Sequence, residues 1–131
     1  MLLLNGFDPH RPDEPFWFTV GGAAEEGETL QEAARRELHE EVGIQVAVEE
    51  FSESLGTSTV EFTFGPYAIT QDQTFFAVRV GDAEVSFDHM EQIEKDTTLG
   101  YRWWSADELE ASDVTYPPEL PDVIRKAAGT V

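Results

Sequence analysis

The chain has 131 residues and a formal net charge of −19, from 27 acidic side chains against 8 Lys and Arg. This length suits one domain, and an apolar content of 40% with 9 Phe and 3 Trp is enough for a packed core. The charge argues against partners such as nucleic acid polymers or anionic membranes, which need a surface rich in Lys and Arg. The lack of cysteine excludes disulfides, thiolate metal sites and a cysteine nucleophile.

The N-terminal sequence MLLLNGF has no basic region and only a short apolar run, so we expect no secretory signal. No apolar run in the sequence approaches the length of a membrane span. These features predict a cytoplasmic protein with a single domain over residues 1–131.

The first third of the chain predicts two strands and a helix. MLLL reads as a strand, followed by a loop rich in Pro, Asp and Asn from Asn5 to Pro15. Phe16–Val20 reads as a second strand, which two glycines end. A helix is predicted from about Thr29 to Val42, because Thr29 and Glu32 form a capping-box pattern and Gly43 suits the position after the helix.

The rest of the chain predicts more strands than helices. Alternation of apolar and polar residues predicts three strands, at Gln45–Ser52, Thr59–Phe64 and Thr74–Val80. We expect an irregular loop over Asp82–Gly100 and a short strand at Tyr101–Trp104. Two helices follow, one capped by Ser105 and Glu108 and one from about Leu120. This order predicts a mixed β-sheet covered by helices, in the α+β or α/β class.

The helix predicted from Thr29 carries acids within its apolar stripe. With Leu30 set at 0° and 100° per residue, the apolar face centres near about 10–20°. Glu37 then lies at about 340°, Glu41 at about 20°, and Glu40 at the edge of the face. A buried carboxylate becomes neutral, pairs or binds a metal. Because the three acids cluster near the negative end of the helix, they favour a divalent cation with oxygen ligands, Mg²⁺ or Mn²⁺.

A second interpretation of these acids stays open. If the face is only half buried, its carboxylates pair with arginine instead of a metal. Arg35 and Arg36 are the nearest candidates, although the helical wheel places both on or near the opposite side of the same helix.

The stretch from Gly22 to Ile44 fits the pattern G-x5-E-x7-R-E-U-x-E-E-x-G-U, in which U is aliphatic, at every fixed position. The chain therefore resembles the Nudix hydrolase family. The matching residues are Gly22, Glu28, Arg36, Glu37, Leu38, Glu40, Glu41, Gly43 and Ile44. The resemblance implies an α/β/α sandwich with a mixed β-sheet. It also implies hydrolysis of a pyrophosphate bond, in a nucleoside diphosphate linked to another group X, by metal-activated water.

Carried over position by position, the resemblance implies a metal site and a set of catalytic residues. Gly22, Glu37, Glu40 and Glu41 would be the metal ligands, the glycine through its carbonyl oxygen. Arg36 would orient the acids, and it counts with Glu40 and Glu41 among the catalytic residues.

Two further roles are expected beyond the four metal ligands. Glu28 would be the ion-pair partner of the arginine. Family members often add an acid from a late loop as base or extra ligand, and of the three acids in that loop we favour Glu94 over Glu91 and Asp96.

Substrate contacts are predicted for Trp17, by stacking on a base, and for Gln73, by hydrogen bonding to a base edge. A core position is the competing interpretation for Trp17. The expected substrate is a small nucleotide, such as a normal or oxidised dNTP or a nucleotide sugar. The chain lacks the residues that mark subfamilies cleaving ADP-ribose or dinucleoside polyphosphates, so X stays open.

Two alternative functions and one assembly question remain at this stage. A non-catalytic nucleotide sensor is disfavoured because every acid of the box is present. Isopentenyl diphosphate isomerase shares the fold, but its chemistry uses a cysteine that this chain lacks. The family usually has a strand before the one read as MLLL; without it, an exposed sheet edge would favour a homodimer.

Overall fold

Two antiparallel sheets organise the chain in the computed structural model, which describes residues 1–130. In the first sheet, β1 (Leu2–Gly6) lies between β2 (Phe16–Thr19) and β5 (Thr98–Trp103). The second sheet is a hairpin of β3 (Gly56–Phe64) and β4 (Tyr67–Phe75). Residue 131 of the predicted single domain lies outside the described range.

Four α-helices and a short 3-10 helix accompany the sheets. They are α1 (Leu30–Val42), the 3-10 helix (Val48–Glu50), α2 (Gln92–Thr97), α3 (Ala106–Ala111) and α4 (Leu120–Thr130). No helix within residues 1–130 has both the length and the apolar character needed to span a membrane.

The central strand β1 is buried on both faces. Leu2 and Leu4 pack in one cluster with side chains of α1. Leu3 packs in a second cluster with Leu109 of α3 and Leu120 of α4. Because successive side chains of a strand point to opposite faces, β1 separates α1 from α3 and α4. The expected arrangement of helices on both sides of a sheet is confirmed.

The ends of α1 are those predicted from local sequence. The Thr29 hydroxyl accepts a hydrogen bond from the Glu32 N–H at 3.1 Å, and the Glu32 carboxylate accepts one from the Thr29 N–H at 3.1 Å. Gly43 ends the helix with φ of 72°, and its N–H donates to the His39 carbonyl. A side chain with a Cβ is strained at this φ, which explains the glycine.

Two predicted strands are wrong. Gln45–Ser52 contains the 3-10 helix, because the Glu50 carboxylate accepts from the Ala47 N–H at 2.8 Å and closes a local turn. Of the strand predicted at Thr74–Val80, only Thr74 and Phe75 are in a strand. They are the last two residues of β4, which begins earlier than expected, at Tyr67. Beyond Phe75, the Ala77 N–H donates to the Ser52 hydroxyl at 2.8 Å. This side-chain oxygen takes the place of the backbone carbonyl that would accept the bond in a strand pairing.

Two smaller expectations also need correction. The loop predicted over Asp82–Gly100 contains α2, whose Thr97 hydroxyl donates to the Ile93 carbonyl, and the first residues of β5. A mixed sheet was expected, but every strand pairing within residues 1–130 is antiparallel. The hairpin pairs only with itself in this part of the chain, so it adds no parallel neighbour to the sheet around β1.

A buried carboxylate fastens the tip of the hairpin to the N-terminal loop. Asp8 is only 6% exposed. It accepts hydrogen bonds from the His10 N–H at 2.9 Å, the Gly65 N–H at 2.8 Å and the Thr63 hydroxyl at 3.1 Å. The N–H groups of His10 and Gly65 lower the pKa of Asp8, so the carboxylate stays charged. Asp8 therefore holds the hairpin tip from a different part of the chain.

We predict that Asp8→Ala loosens the hairpin tip while leaving the two core clusters intact. The Gly65 N–H loses its acceptor, so its hydrogen exchange should become faster, whereas the amide of Leu109 should keep its protection. Asp13→Ala, in the same loop but on an exposed side chain, is the control. Unchanged exchange at Gly65 in the Asp8 variant would show that the carboxylate does not hold the tip.

Candidate functional site

The candidate site lies where the loop after β2 meets the last turns of α1. The Gly21 N–H donates to Glu41 Oε2 at 2.9 Å. The Glu41 side chain is on the core-facing stripe of α1, and the residue is only 5% exposed. The position that the helical wheel gave this acid is therefore observed, and the loop supplies a hydrogen-bond donor to it.

Gly22 lies against the carboxylate of Glu37. A Cβ on Gly22 would lie 2.6 Å from Glu37 Oε1 and 2.7 Å from its Cδ. Such distances are far inside van der Waals contact, so any larger residue would displace the carboxylate. The first glycine of the motif thus leaves room for the Glu37 carboxylate.

Arg36 connects the loop to two of the acids. Its Nε and Nη2 donate to the two oxygens of Glu28 at 2.8 and 3.0 Å, and Nη2 also donates to the Ala23 carbonyl. Its Nη1 donates to Glu37 at 2.9 Å and to Glu40 at 3.2 Å. The paired hydrogen bonds to Glu28 are the geometry for which a guanidinium is best suited. The long side chain reaches acids that the wheel placed away from it.

Burial and crowding change the acidity of the cluster. Burial, with a smaller contribution from the neighbouring acids, raises the pKa of Glu41 to about 8, against the opposing effect of the Gly21 N–H. Burial also raises the pKa of Glu37, although its contact with Arg36 opposes the shift. Hydrogen bonding to Glu28 is the main cause that raises the pKa of Arg36, so this side chain stays charged.

The acids fit a divalent cation in chemistry, but they are not assembled into a finished site. Within residues 1–130, no three carboxylate or imidazole side chains converge on one point as metal ligands would. Arg36 accounts for this, because it holds Glu37 and Glu40 by hydrogen bonds. The oxygen-only donors and the buried carboxylate of Glu41 are the groups that a hard cation prefers.

Glu94 of α2 belongs to the same surroundings. Its charge contributes to the raised pKa of both Glu37 and Glu41, and the residue lines the same cleft as Gly22. Of the three acids considered in the late segment, the other two are exposed and Glu94 is half-buried. The structure therefore brings Glu94 to the acidic cluster.

The two predicted substrate residues lie in different environments. Gln73 of β4 lines the cleft that also contains Gly22. Trp17 packs edge-on against Trp104, with ring centroids 5.3 Å apart, beside the cluster around Leu3. The geometry thus supports the core interpretation of Trp17, and it gives no support to base stacking by this residue.

Sequence reasoning missed one contact of the site. It treated Gly21 only as the end of a strand, whereas the Gly21 N–H binds the most buried acid. The paired glycines were the only sequence signal for this contact, and a glycine pair by itself indicates no more than a turn.

Comparisons with known proteins agree with this arrangement. The family model for the NUDIX domain matches residues 1–126. Dihydroneopterin triphosphate diphosphatase of Escherichia coli K12 is 33% identical over 104 residues, which cover 73% of this chain and 65% of that protein. RNA pyrophosphohydrolase of Caulobacter vibrioides is 36% identical over 110 residues, covering 76% of this chain and 62% of that protein. The chain thus spans less than two thirds of the length of these curated relatives.

Solved structures show the same fold. The E. coli dihydroneopterin triphosphate pyrophosphohydrolase superposes with a TM-score of 0.63 at 26% identity, covering 95% of this chain and 82% of that one. An Ap4A hydrolase from C. elegans superposes with a TM-score of 0.57 at 19% identity, covering 98% of this chain and 82% of that one, which is evidence for the fold alone. With the family model matched over residues 1–126, the resemblance read from the sequence is confirmed: the chain belongs to the NUDIX domain family.

Proposed function

We propose that the chain hydrolyses a phosphoanhydride bond in a small nucleotide with the help of a divalent cation, Mg²⁺ or Mn²⁺. The observation that carries this proposal is the buried carboxylate of Glu41, held by the Gly21 N–H among further acids. A carboxylate buried without a cationic partner in residues 1–130 is costly unless it is protonated or binds a cation. Relatives named for cleavage of triphosphates and of RNA pyrophosphate support the same reaction class.

In this proposal, Gly22 through its carbonyl and Glu37, Glu40 and Glu41 through their carboxylates hold the cation. Such a cation, when bound, offsets the charge of phosphate oxygens and lowers the pKa of a coordinated water. The tight contact between Gly22 and Glu37 supports their joint assignment.

Arg36 has a positioning role in the proposed site. Its hydrogen bonds to Glu28 fix the guanidinium, which in turn orients Glu37 and Glu40. Glu94 enters the site from α2 and is our candidate for accepting the proton of the attacking water, with Glu40 and Glu41 as the alternatives within α1.

The proposed substrate is a small nucleotide and not an RNA chain. One relative is named an RNA pyrophosphohydrolase, but an RNA polymer approaching a protein of net charge −19 meets long-range repulsion. A dNTP, a normal or oxidised one, and a nucleotide sugar remain the expected classes. The homodimer and the cytoplasmic location stay predictions.

Glu41→Gln tests the proposed reaction directly. The amide keeps the size of the side chain but removes its charge, so we expect nucleotide hydrolysis with Mg²⁺ or Mn²⁺ to fall by about 100-fold or more. Release of phosphate and pyrophosphate from a nucleotide panel is the measurement. Glu26→Gln, an exposed acid of the same loop, should retain activity. A wild-type protein that binds nucleotides without cleaving any would favour the sensor and reject hydrolysis.

Gly22→Ala tests the link between the glycine and the metal ligand. The added methyl group meets the carboxylate of Glu37 and displaces it, so calorimetry should show weaker binding of Mn²⁺ with little change in thermal stability. Gly100→Ala is the matched control, because a Cβ there meets nothing within 4 Å. Equal Mn²⁺ affinity in the two variants would contradict the assignment of Gly22 and Glu37.

The raised pKa of Glu41 predicts how stability depends on pH in chelator-treated protein. The folded state holds the proton of Glu41 up to about pH 8, whereas the unfolded chain releases it near 4.5. The stabilising contribution is therefore complete below 4.5, and it is lost as the pH rises through about 8. At about 1.36 kcal/mol per pKa unit, the loss amounts to at most about 5 kcal/mol.

Urea unfolding at several pH values with EDTA present measures this loss. In Glu41→Gln the fall in stability between pH 5 and pH 8 should be much smaller, because the amide does not titrate. Curves of the same slope in the variant and in the wild type would show that Glu41 does not cause the pH dependence.

A further inference from the structure

The β3–β4 hairpin has two unlike faces. Cross-strand partners in an antiparallel pair lie on the same face, and residues along one strand alternate between faces. One face carries the pairs Ser58 with Gln73, Val60 with Gln71, and Phe62 with Ile69. All of these residues are half-buried except Phe62, which is 40% exposed, so we call this the inner face. The outer face is exposed and includes Thr59, Glu61, Thr70 and Asp72.

The inner face has no charged side chain, although the protein has a net charge of −19. The outer face of the same hairpin carries Glu61 and Asp72. A neutral surface next to an acidic cluster does not suit phosphate groups or cations. It suits the neutral part of a ligand whose charged part binds elsewhere.

The inner face is continuous with the candidate site. The cleft that contains Gly22 and Glu94 is also lined by residues of both faces of the hairpin, among them Val60, Phe62 and Gln71 of the inner face. Gly22 lies against the Glu37 carboxylate, so this cleft reaches the margin of the acidic cluster. A molecule with phosphates at one end and a ring at the other therefore has that margin and the inner face within one cleft.

Two hydrogen-bonded amides on this face leave one donor group and one acceptor unpaired. Gln73 Nε2 donates to Gln71 Oε1 at 3.5 Å. In residues 1–130, this hydrogen bond leaves Gln71 Nε2 and Gln73 Oε1 without a protein partner. Since an amide can be turned by 180°, the pair can present the donor and the acceptor in either order. Ser58 is occupied, because its hydroxyl donates to Glu119 at 3.3 Å.

We propose that the inner face of the hairpin binds the base of the nucleotide. The base would use adjacent donor and acceptor atoms on its edge to bind Gln71 and Gln73, while Val60, Phe62 and Ile69 contact its ring. This inference rests on the proposed function, since it assumes that the phosphates bind at the acidic cluster. It makes the two glutamines specificity-determining residues.

The first experiment compares hydrolysis of ATP, GTP, CTP and UTP. The wild type should prefer some bases over others. Gln71→Met and Gln73→Met keep the side-chain length but remove the hydrogen bonds, so each should lower kcat/KM for the preferred nucleotide about three- to tenfold and flatten the ranking of the four. Thr57→Val, which removes a hydroxyl from the exposed outer face of the neighbouring strand at a position that does not line the cleft, should keep the wild-type ranking.

A second experiment separates this inference from the proposed function. Calorimetry with the preferred nucleotide in the Glu41→Gln background measures Kd without turnover, and the two glutamine variants should raise Kd by the same factor. If the wild type cleaves no nucleotide, hydrolysis is rejected as the function. The base site is then tested by Kd alone: the glutamine variants should raise the Kd of the tighter-binding nucleotide of ATP and GTP, and unchanged Kd values would reject the base site. If hydrolysis occurs but the glutamine variants change neither ranking nor Kd, the base site is overturned.

A second copy of the chain is the competing occupant of the inner face. Sedimentation of the wild type and of Phe62→Asp distinguishes it, because a dimer closed through this face would dissociate in the variant. Such a dimer would overturn the base site. A wild type and a variant with the same sedimentation coefficient support an inner face that is open to ligand.

Discussion

The structure around the candidate site depends on the burial of one carboxylate, that of Glu41. Its residue is 5% exposed, and its hydrogen bond comes from the Gly21 N–H. Burial, together with the charges of Glu37, Glu94 and Glu40, raises its pKa to about 8. Protonation and cation binding are the two ways to relieve such a group. The fold therefore contains an energetically unfavourable buried carboxylate at the position where the NUDIX domain motif concentrates its acids.

Arg36 determines how much of the unfavourable charge in this acidic cluster is offset by ion pairs. One guanidinium donates hydrogen bonds to Glu28, Glu37 and Glu40, and Glu25 lies 3.8 Å from its Nη1, so a single positive charge faces four negative ones. The arginine satisfies the outer acids and leaves Glu41 without a cationic partner in the described residues. It also explains why the carboxylates do not converge as ligands, because Glu37 and Glu40 turn toward it. In the proposed site, the arginine and a divalent cation would compete for the same oxygens of Glu37 and Glu40.

The sequence predicted well those features that depend on nearby residues. The caps of α1 and the inward position of Glu41 follow from helical spacing and from Thr29 and Gly43. The failures involve side-chain hydrogen bonds that residue spacing does not reveal. The alternation in Gln45–Ser52 resembled a strand, but a strand needs a neighbour, and Glu50 closes a local turn instead. The wheel also misplaced Arg36, because it gives the direction of Cβ and not the reach of a long side chain.

In the proposed function, the hairpin and the acidic cluster divide two tasks between separate parts of the chain. A neutral inner face with two amides shares a cleft with Gly22 and Glu94, and the hairpin is fastened at its tip by Asp8. Because Asp8 lies in the loop between β1 and β2, the strand that leads into Gly21 and Gly22 is tied to the hairpin on one side and to the acids on the other. The hairpin tip and the most buried acid are thus both hydrogen-bonded to the segment from Asp8 to Gly21, which connects the two parts of the proposed site.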